Sequence, residues 1–293
     1  MEARKYIIST ETTCDMEMSY YKEHSIHLLG MTYTLNGIDY DSASEENLPI
    51  KEFYRQLREG GESKTAQVSL DKATSAFEKL VEEGYDVFHL SFSSALSGTY
   101  QSCTVAANDV MERHPEAKII VVDSLAASMG QGLMLNYAVT LKEQGKSLEE
   151  LTAIIEAEKL RFCHNFTVDD LHFLHRGGRV SKMTAIMGTA LGIKPTLHVD
   201  DVGRLINVGK VRGRKQSLNW LVDKMGERIG SHKNDVVYVS HGDCEDDAKY
   251  VADLVRKRFG IKNIVIGYIG PVIGTHSGPG TVALFFVGDT RDI

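Results

Sequence analysis

Val87-Phe88-His89-Leu90-Ser91-Phe92-Ser93-Ser94-Ala95-Leu96-Ser97-Gly98-Thr99 runs from an apolar strand pattern into a serine-rich turn, and a helical pattern from Tyr100 to Arg113 follows it. A strand that ends in hydroxyls at a helix N-terminus is an anion cradle. Exposed backbone N–H groups and the positive end of the helix macrodipole favour a carboxylate or phosphate there, and short hydroxyls add donors without bulk. An ordinary N-cap role accounts for Ser97 equally well. A cap needs one hydroxyl, however, and this stretch holds four serines within seven residues.

Outward from that stretch, short apolar runs alternate with longer amphipathic ones. Tyr6 to Ser9, Val87 to Ser91 and Lys118 to Val122 read as strands; Leu48 to Leu57, Asp71 to Glu83, Met129 to Gln144 and Leu148 to Leu160 read as helices. Within the segment Ile26 to Asp39, Asn36-Gly37 is a two-residue hairpin signal. This alternation predicts an α/β fold whose parallel sheet is covered by helices on both faces. The second half changes character after the glycine break Gly177-Gly178. It shows a helix-like Met183 to Leu191, then a hairpin of Ile193 to Val199 and Arg204 to Val211 joined across Asp200 to Gly203. Helices at Gln216 to Ile229 and Glu245 to Phe259 flank a strand at Val236 to Ser240, with further strands at Phe162 to Val168, Ile264 to Ile269 and Val282 to Val287. At 293 residues, two α/β domains sharing a cleft are expected, 1–160 and 161–293.

The formal charge of −7, from Lys+Arg 33 against Asp+Glu 40, argues against a protein whose main work is holding nucleic acid or an anionic membrane. Four cysteines, Cys14, Cys103, Cys163 and Cys244, lie far apart without a C-x-x-C pair, so neither a disulfide framework nor a thiolate metal site is expected. A reducing cytoplasm suits such a chain. No segment offers about 18 uncharged apolar residues in a row, so no membrane span is expected.

Familiar chemical motifs are missing: no G-x-S-x-G elbow, no phosphate-binding P-loop and no dinucleotide fingerprint occurs. His172 and His175 beside Asp169 and Asp170 lack metal-site spacing, so no metal is assigned, and His24 and His27 stay without a role. The stretch Gly270-Pro271-Val272-Ile273-Gly274-Thr275-His276-Ser277-Gly278-Pro279-Gly280-Thr281 reads as a tight loop. Its glycines let backbone approach a bound group, and His276 either donates to an anion or satisfies local carbonyls. His175-Arg176-Gly177-Gly178-Arg179-Val180-Ser181-Lys182 concentrates cations suited to phosphate or an acidic partner; a second cluster, Lys210, Arg212, Arg214 and Lys215, reads as well as a solvated face.

Three separated stretches, Ser93 to Gln101, Leu174 to Ser181 and Gly270 to Gly280, together resemble the DegV family over nearly the whole chain. Thr10-Glu11-Thr12-Thr13-Cys14-Asp15 is similar to its N-terminal Thr-Asp-Ser-Thr-x-Asp signature, with Glu11 in place of Asp and Thr12 in place of Ser. Thr65-Ala66-Gln67-Val68-Ser69 is similar to its Thr-Ser-Gln-Pro-Ser segment and departs from it at Ala66 and Val68.

The resemblance implies two α/β domains enclosing a long-chain fatty acid, its carboxylate held by a threonine, a serine and a histidine. By motif these are Thr65, Ser97 or its neighbour Ser94, and His276. FakB-type members present the bound acid to a separate fatty acid kinase, which makes an acyl phosphate for phospholipid synthesis. On that resemblance the chain is a cytoplasmic carrier without cofactor or catalysis of its own, touching a membrane at most transiently, and Arg176, Arg179 and Lys182 dock the kinase or meet the phosphate. Each buried methylene contributes roughly 0.8 kcal/mol, so a sixteen-carbon tail supplies on the order of 10 kcal/mol before ordering costs. Met129, Met134, Met183 and Met187 suit a deformable tunnel lining or plain core filling. The reading from another class is a hydrolase or phosphotransferase acting on a small anionic metabolite. It uses Ser94 or Ser97 as nucleophile and His276 as base, with Asp15, Asp123 or Asp169 as orienting acid.

Overall fold

The computed structural model describes residues 4–169, 171–181 and 192–292. In chain order the first part contains β1 (Tyr6–Glu11), α1 (Met18–Glu23), β2 (His27–Leu29), β3 (Thr32–Leu35), β4 (Ile38–Asp41), α2 (Ile50–Arg58), β5 (Ser63–Ala66), α3 (Leu70–Glu82), β6 (Asp86–Ser91), α4 (Thr99–Arg113), β7 (Ile119–Asp123), α5 (Met129–Glu143) and α6 (Leu148–Glu158). Strands β2-β1-β6-β7 form a wholly parallel sheet. Its faces are covered by helices, and the apolar runs Val87-Phe88 and Ile119 to Val122 reflect that burial, whereas β1 buries Ser9, Thr10 and Glu11 as well. Val87 and Ile119 pack with Phe77, Val81 and Val110 of α3 and α4. Phe88 and Leu90, one residue out of phase, pack with Met134, Leu135 and Leu151 of α5 and α6. Local signals start the helices: Ser69 caps α3 by accepting from Lys72 N–H, and Ser147 with Glu150 forms a capping box on α6.

Asn36 and Gly37 take positive φ (51° and 83°) and turn β3 back onto β4, as their pairing predicts. Strand β5 joins them in a small antiparallel sheet ordered β4-β3-β5. This sheet folds over α2, with Tyr33 and Leu35 against Phe53, Tyr54 and Leu57.

The second part contains β8 (Phe162–Thr167), α7 (His172–Arg176), β9 (Ile193–Val199), β10 (Leu205–Arg212), α8 (Arg214–Arg228), β11 (Val237–His241), α9 (Glu245–Phe259), β12 (Ile264–Tyr268), α10 (Pro271–Ser277) and β13 (Val282–Val287). Its sheet, ordered β10-β9-β8-β13-β11-β12, is antiparallel except for the β11–β12 pair. One face, carrying Val282, Leu284 and Phe286, packs on α8 and α9. The opposite face, carrying Phe166, Leu197, Ala283 and Phe285, shares a core with α5. Helix α5 thus lies between the two larger sheets. The helix expected over Met183 to Leu191 lies outside the described residues, and Gly270 to Thr281, expected as a tight loop, contains helix α10.

Two buried polar clusters brace this frame. The Glu11 carboxylate, fully buried, accepts from His89 Nε2 (3.0 Å), Ser91 Oγ (2.7 Å), Phe92 N–H (2.9 Å) and Gln131 Nε2 (3.1 Å). Arg291, also fully buried, donates to the carbonyls of Leu125 (2.6 Å), Lys159 (2.6 Å) and Phe162 (3.0 Å), where the chain crosses from one large sheet to the other. Among the described residues no helix is long and apolar enough to cross a membrane.

Candidate functional site

Strand β5 buries none of its four residues, yet its ladder to β3 sets Thr65 opposite Tyr33 and turns its hydroxyl toward α10. Thr65 Oγ1 lies 2.8 Å from His276 Nε2, and Ser63 Oγ lies 2.7 Å from Thr275 Oγ1. Helix α10 starts on Pro271, whose missing N–H is no loss at a first helical position, and ends where Gly278 takes φ 77°. His276 therefore sits on a short helix rather than in a loop.

The His276 ring is enclosed. A Cβ on Gly177 would come within 2.1 Å of His276 Nδ1, so the glycine after α7 is what admits the imidazole. Nδ1 has no hydrogen-bond partner among the described residues. Burial, aided by the positive charges of Arg179 and Arg176, pushes the His276 pKa down to about 4. At neutral pH the ring is neutral and offers one N–H and one lone pair.

Ser97 approaches the same space from the β6–α4 turn. It is not the N-cap. Gly98 holds that position without a side-chain cap, because a Cβ there would meet Gln67 Oε1 at 2.1 Å. Ser97 Oγ accepts from Thr99 N–H at 3.2 Å and lies 2.9 Å from Thr99 Oγ1. Ser94 is elsewhere: it is exposed, its N–H donates to Asp123 Oδ1 at 3.1 Å, and it does not line the cavity that Ser97 lines.

That cavity, about 230 Å³, counts Thr65, Ser97 and His276 among its lining residues. Gln67, held by Ser102 at 2.9 Å, lines it too; it lies in the Thr65 to Ser69 segment, and only its position beside Thr65 could have singled it out. Met31, Phe92 and Leu96 from the first half and Phe166, Ala283 and Phe285 from the second supply apolar walls, and Ser128, Ser277 and Thr281 add hydroxyls to the lining. Met129 and Met134 are core residues and not part of this lining, while Met183 and Met187 lie outside the described residues.

Arg179 also lines the cavity. Its guanidinium donates to the carbonyl of Leu96 through Nε (3.1 Å) and Nη2 (2.9 Å) and to that of Gly177 through Nη1, so it is fastened at the cavity wall. Arg176 is exposed, with its guanidinium 4.9 Å from the Phe173 ring centroid. Lys182 lies outside the described residues.

The three candidate acids serve other groups. Asp15, pushed up to about 7 by burial, accepts from Ser128 Oγ at 2.6 Å; Asp123 accepts from the N–H groups of Ser94 and Leu125; Asp169 pairs with Lys194 at 2.7 Å. Among the described residues no carboxylate hydrogen-bonds His276, whose near neighbour is the Thr65 hydroxyl rather than a serine. Among the described residues a hydrolytic triad is thus not assembled around His276.

A neutral imidazole, two hydroxyls and a fastened guanidinium thus line one cavity together with many apolar side chains. The family model described as "uncharacterised protein, DegV family" matches residues 5–289. The chain belongs to the DegV family. A DegV domain-containing protein of Clostridium perfringens is 41% identical over 289 residues, 99% of each chain. A Thermotoga maritima protein whose structure reveals a fatty acid binding function matches this DegV chain with TM-score 0.84 at 31% identity, covering 98% of this chain and 100% of that one. A fatty-acid-binding DegV family protein of Thermus thermophilus matches with TM-score 0.84 at 26% identity, covering 97% and 99%. In the signature Thr10 to Asp15 of this DegV chain, Glu11 and Asp15 point into buried hydrogen bonds with His89 and Ser128. Those acids support the fold around the cavity.

Proposed function

We propose that the protein is a cytoplasmic carrier that binds a long-chain fatty acid, holding the carboxylate with Thr65, Ser97 and His276 and the tail in the apolar cavity. The observation that carries this reading is the Thr65–His276 contact at the polar end of a cavity walled by both halves of the chain. Neutral donors orient the head group, and burial of the tail supplies most of the affinity. Because His276 is held neutral, the carboxylate meets an imidazole N–H and hydroxyls rather than an imidazolium. Native mass spectrometry of the purified protein, with lipid extraction, is expected to show one bound fatty acid. A clean protein mass that stays unchanged with added palmitate or oleate would sink the carrier reading. Thr65→Val and His276→Ala are each expected to weaken binding about tenfold, the worth of one buried hydrogen bond. Unchanged affinity in a folded variant removes that residue from the head-group site.

In this reading chemistry comes from a partner fatty acid kinase, which phosphorylates the presented carboxylate and uses no cofactor of the carrier. Arg176 is the exposed cation for docking, Arg179 the fastened one nearest the head group, and Lys182 completes the basic segment. Arg176→Glu is expected to lower acyl phosphate formation at limiting carrier while leaving fatty acid affinity unchanged. Normal turnover in that variant removes Arg176 from the docking surface.

A further inference from the structure

A second opening, about 310 Å³, lies between the two halves of the chain and shares no lining residue with the first cavity. Helices α1 and α5 bring Tyr20 and Asn136 to one side of it; β11 and the residue before β12 bring Tyr238 and Asn263 to the other. Met16, Met129 and Val265 add apolar wall between these polar groups. A Cβ on Gly267 would come within 3.1 Å of Met129 Sδ, so the glycine keeps that wall bare.

Tyr238 is the residue that points to a ligand. Its relative exposure is 3%, and its ring belongs to the core that holds Met134 and Leu135 of α5. Its hydroxyl makes no hydrogen bond among the described residues, yet it is not sealed in, and the opening that reaches it is this cleft. Burial pushes the Tyr238 pKa up to about 12, so at neutral pH the hydroxyl keeps its proton and offers both a donor and lone pairs. Tyr20 Oη donates to Asn136 Oδ1 at 3.0 Å, which fixes that amide and leaves its Nδ2 as a donor without a partner among the described residues.

The charged residues of the lining are both acidic. The Asp15 carboxyl is turned away to Ser128 Oγ, whereas Glu17 is exposed and has no ion pair among the described residues. No lysine, arginine or histidine stands among the described lining residues, so a phosphate finds no counter-charge there and meets Glu17 instead. Apolar walls edged by uncommitted hydroxyl and amide groups suit a flat heterocycle whose rim alternates donors and acceptors.

We propose that this cleft binds an uncharged nucleoside, with Tyr238 Oη and Asn136 Nδ2 hydrogen-bonding the edge of the base and Glu17 accepting from the sugar hydroxyls. Asparagine amides pair with base edges, and an acidic side chain is a usual acceptor for ribose hydroxyls. The position between the halves is where small-molecule sites commonly form.

Isothermal titration of the full chain with adenosine, guanosine, cytidine and uridine, and with the corresponding nucleoside monophosphates, is the test. At least one nucleoside is expected to bind with a Kd below about 1 mM, and its monophosphate at least about tenfold more weakly. Tyr238→Phe, which keeps the ring and removes the hydroxyl, and Asn136→Ala are each expected to weaken that nucleoside about tenfold, with thermal melts showing which variants are folded. Failure of all four nucleosides to bind overturns the proposal. So does a monophosphate that binds as tightly as its nucleoside, and so does an affinity unchanged in a folded Tyr238→Phe or Asn136→Ala protein, which places the ligand elsewhere.

Discussion

Glu11→Gln is expected to cost about 3–5 kcal/mol of folding stability although the side chain scarcely changes shape. Four donors converge on the two carboxylate oxygens: His89 and Ser91 on Oε1, Phe92 N–H and Gln131 on Oε2. A glutamine offers one acceptor oxygen, so in either orientation its NH₂ faces two donors. The carboxylate is held ionised against its burial by the charge on His89 and these hydrogen bonds, which lower its pKa. Burial also opposes charge on His89, and the Cys103 sulfur and Glu11 carboxylate overcome it, raising the His89 pKa to about 10. The Glu11 contribution is present above the ordinary glutamate pKa and fades as pH falls through the lowered one. The His89 contribution is complete below the ordinary histidine pKa and fades as pH rises toward about 10. Stability is therefore expected to peak between about pH 4.5 and 6.5, the ordinary pKa values of the two groups, and to decline on either side. Thermal melts across pH check both parts. A Glu11→Gln protein with unchanged melting temperature, or a natural protein with no decline from neutral to alkaline pH, rejects the ion pair.

Arg291→Met is expected to cost about 3–5 kcal/mol, through hydrogen bonds to neutral groups rather than an ion pair. Among the described residues the guanidinium pairs with no carboxylate; it donates to the carbonyls of Leu125, Lys159 and Phe162 at the crossing between the large sheets. Methionine keeps the stem and leaves those carbonyls without donors, each a loss of about 1–3 kcal/mol. Arg291→Lys is expected to recover only part of the loss, because an ammonium cannot present the planar fork that reaches three carbonyls at once. Urea unfolding measures the cost. If Arg291→Met unfolds at the same urea concentration with the same slope, the crossing is held by apolar packing alone.

The parallel sheet was legible because helices cover its faces and β6 and β7 appear as apolar runs, Val87 to Leu90 most plainly. The hairpin at Asn36-Gly37 was legible because two adjacent residues must take positive φ. Strand β5 was not: Ser63-Lys64-Thr65-Ala66 has no apolar face and owes its conformation to the ladder with β3. Helix α10 was hidden by glycines that lower helix propensity, and Pro271 at its start was the one signal that could have shown it. The start of α4 was legible to within one residue, Tyr100 against Thr99, while the N-cap alternative for Ser97 gives way to Gly98. Thr65 and His276 stand 211 positions apart, so no local period relates them. Their pairing was reachable only through the family resemblance.

Because the cavity takes its walls from both halves of the chain, an apolar ligand filling it would act as one more buried side chain of the native state. A ligand that binds only the folded form raises its stability by about 2.7 kcal/mol at a hundredfold excess over Kd. Unfolded molecules are what proteases remove, so a ligand-filled molecule would outlive an empty one. On the proposed carrier reading, the half-life of the protein would then follow the supply of its ligand.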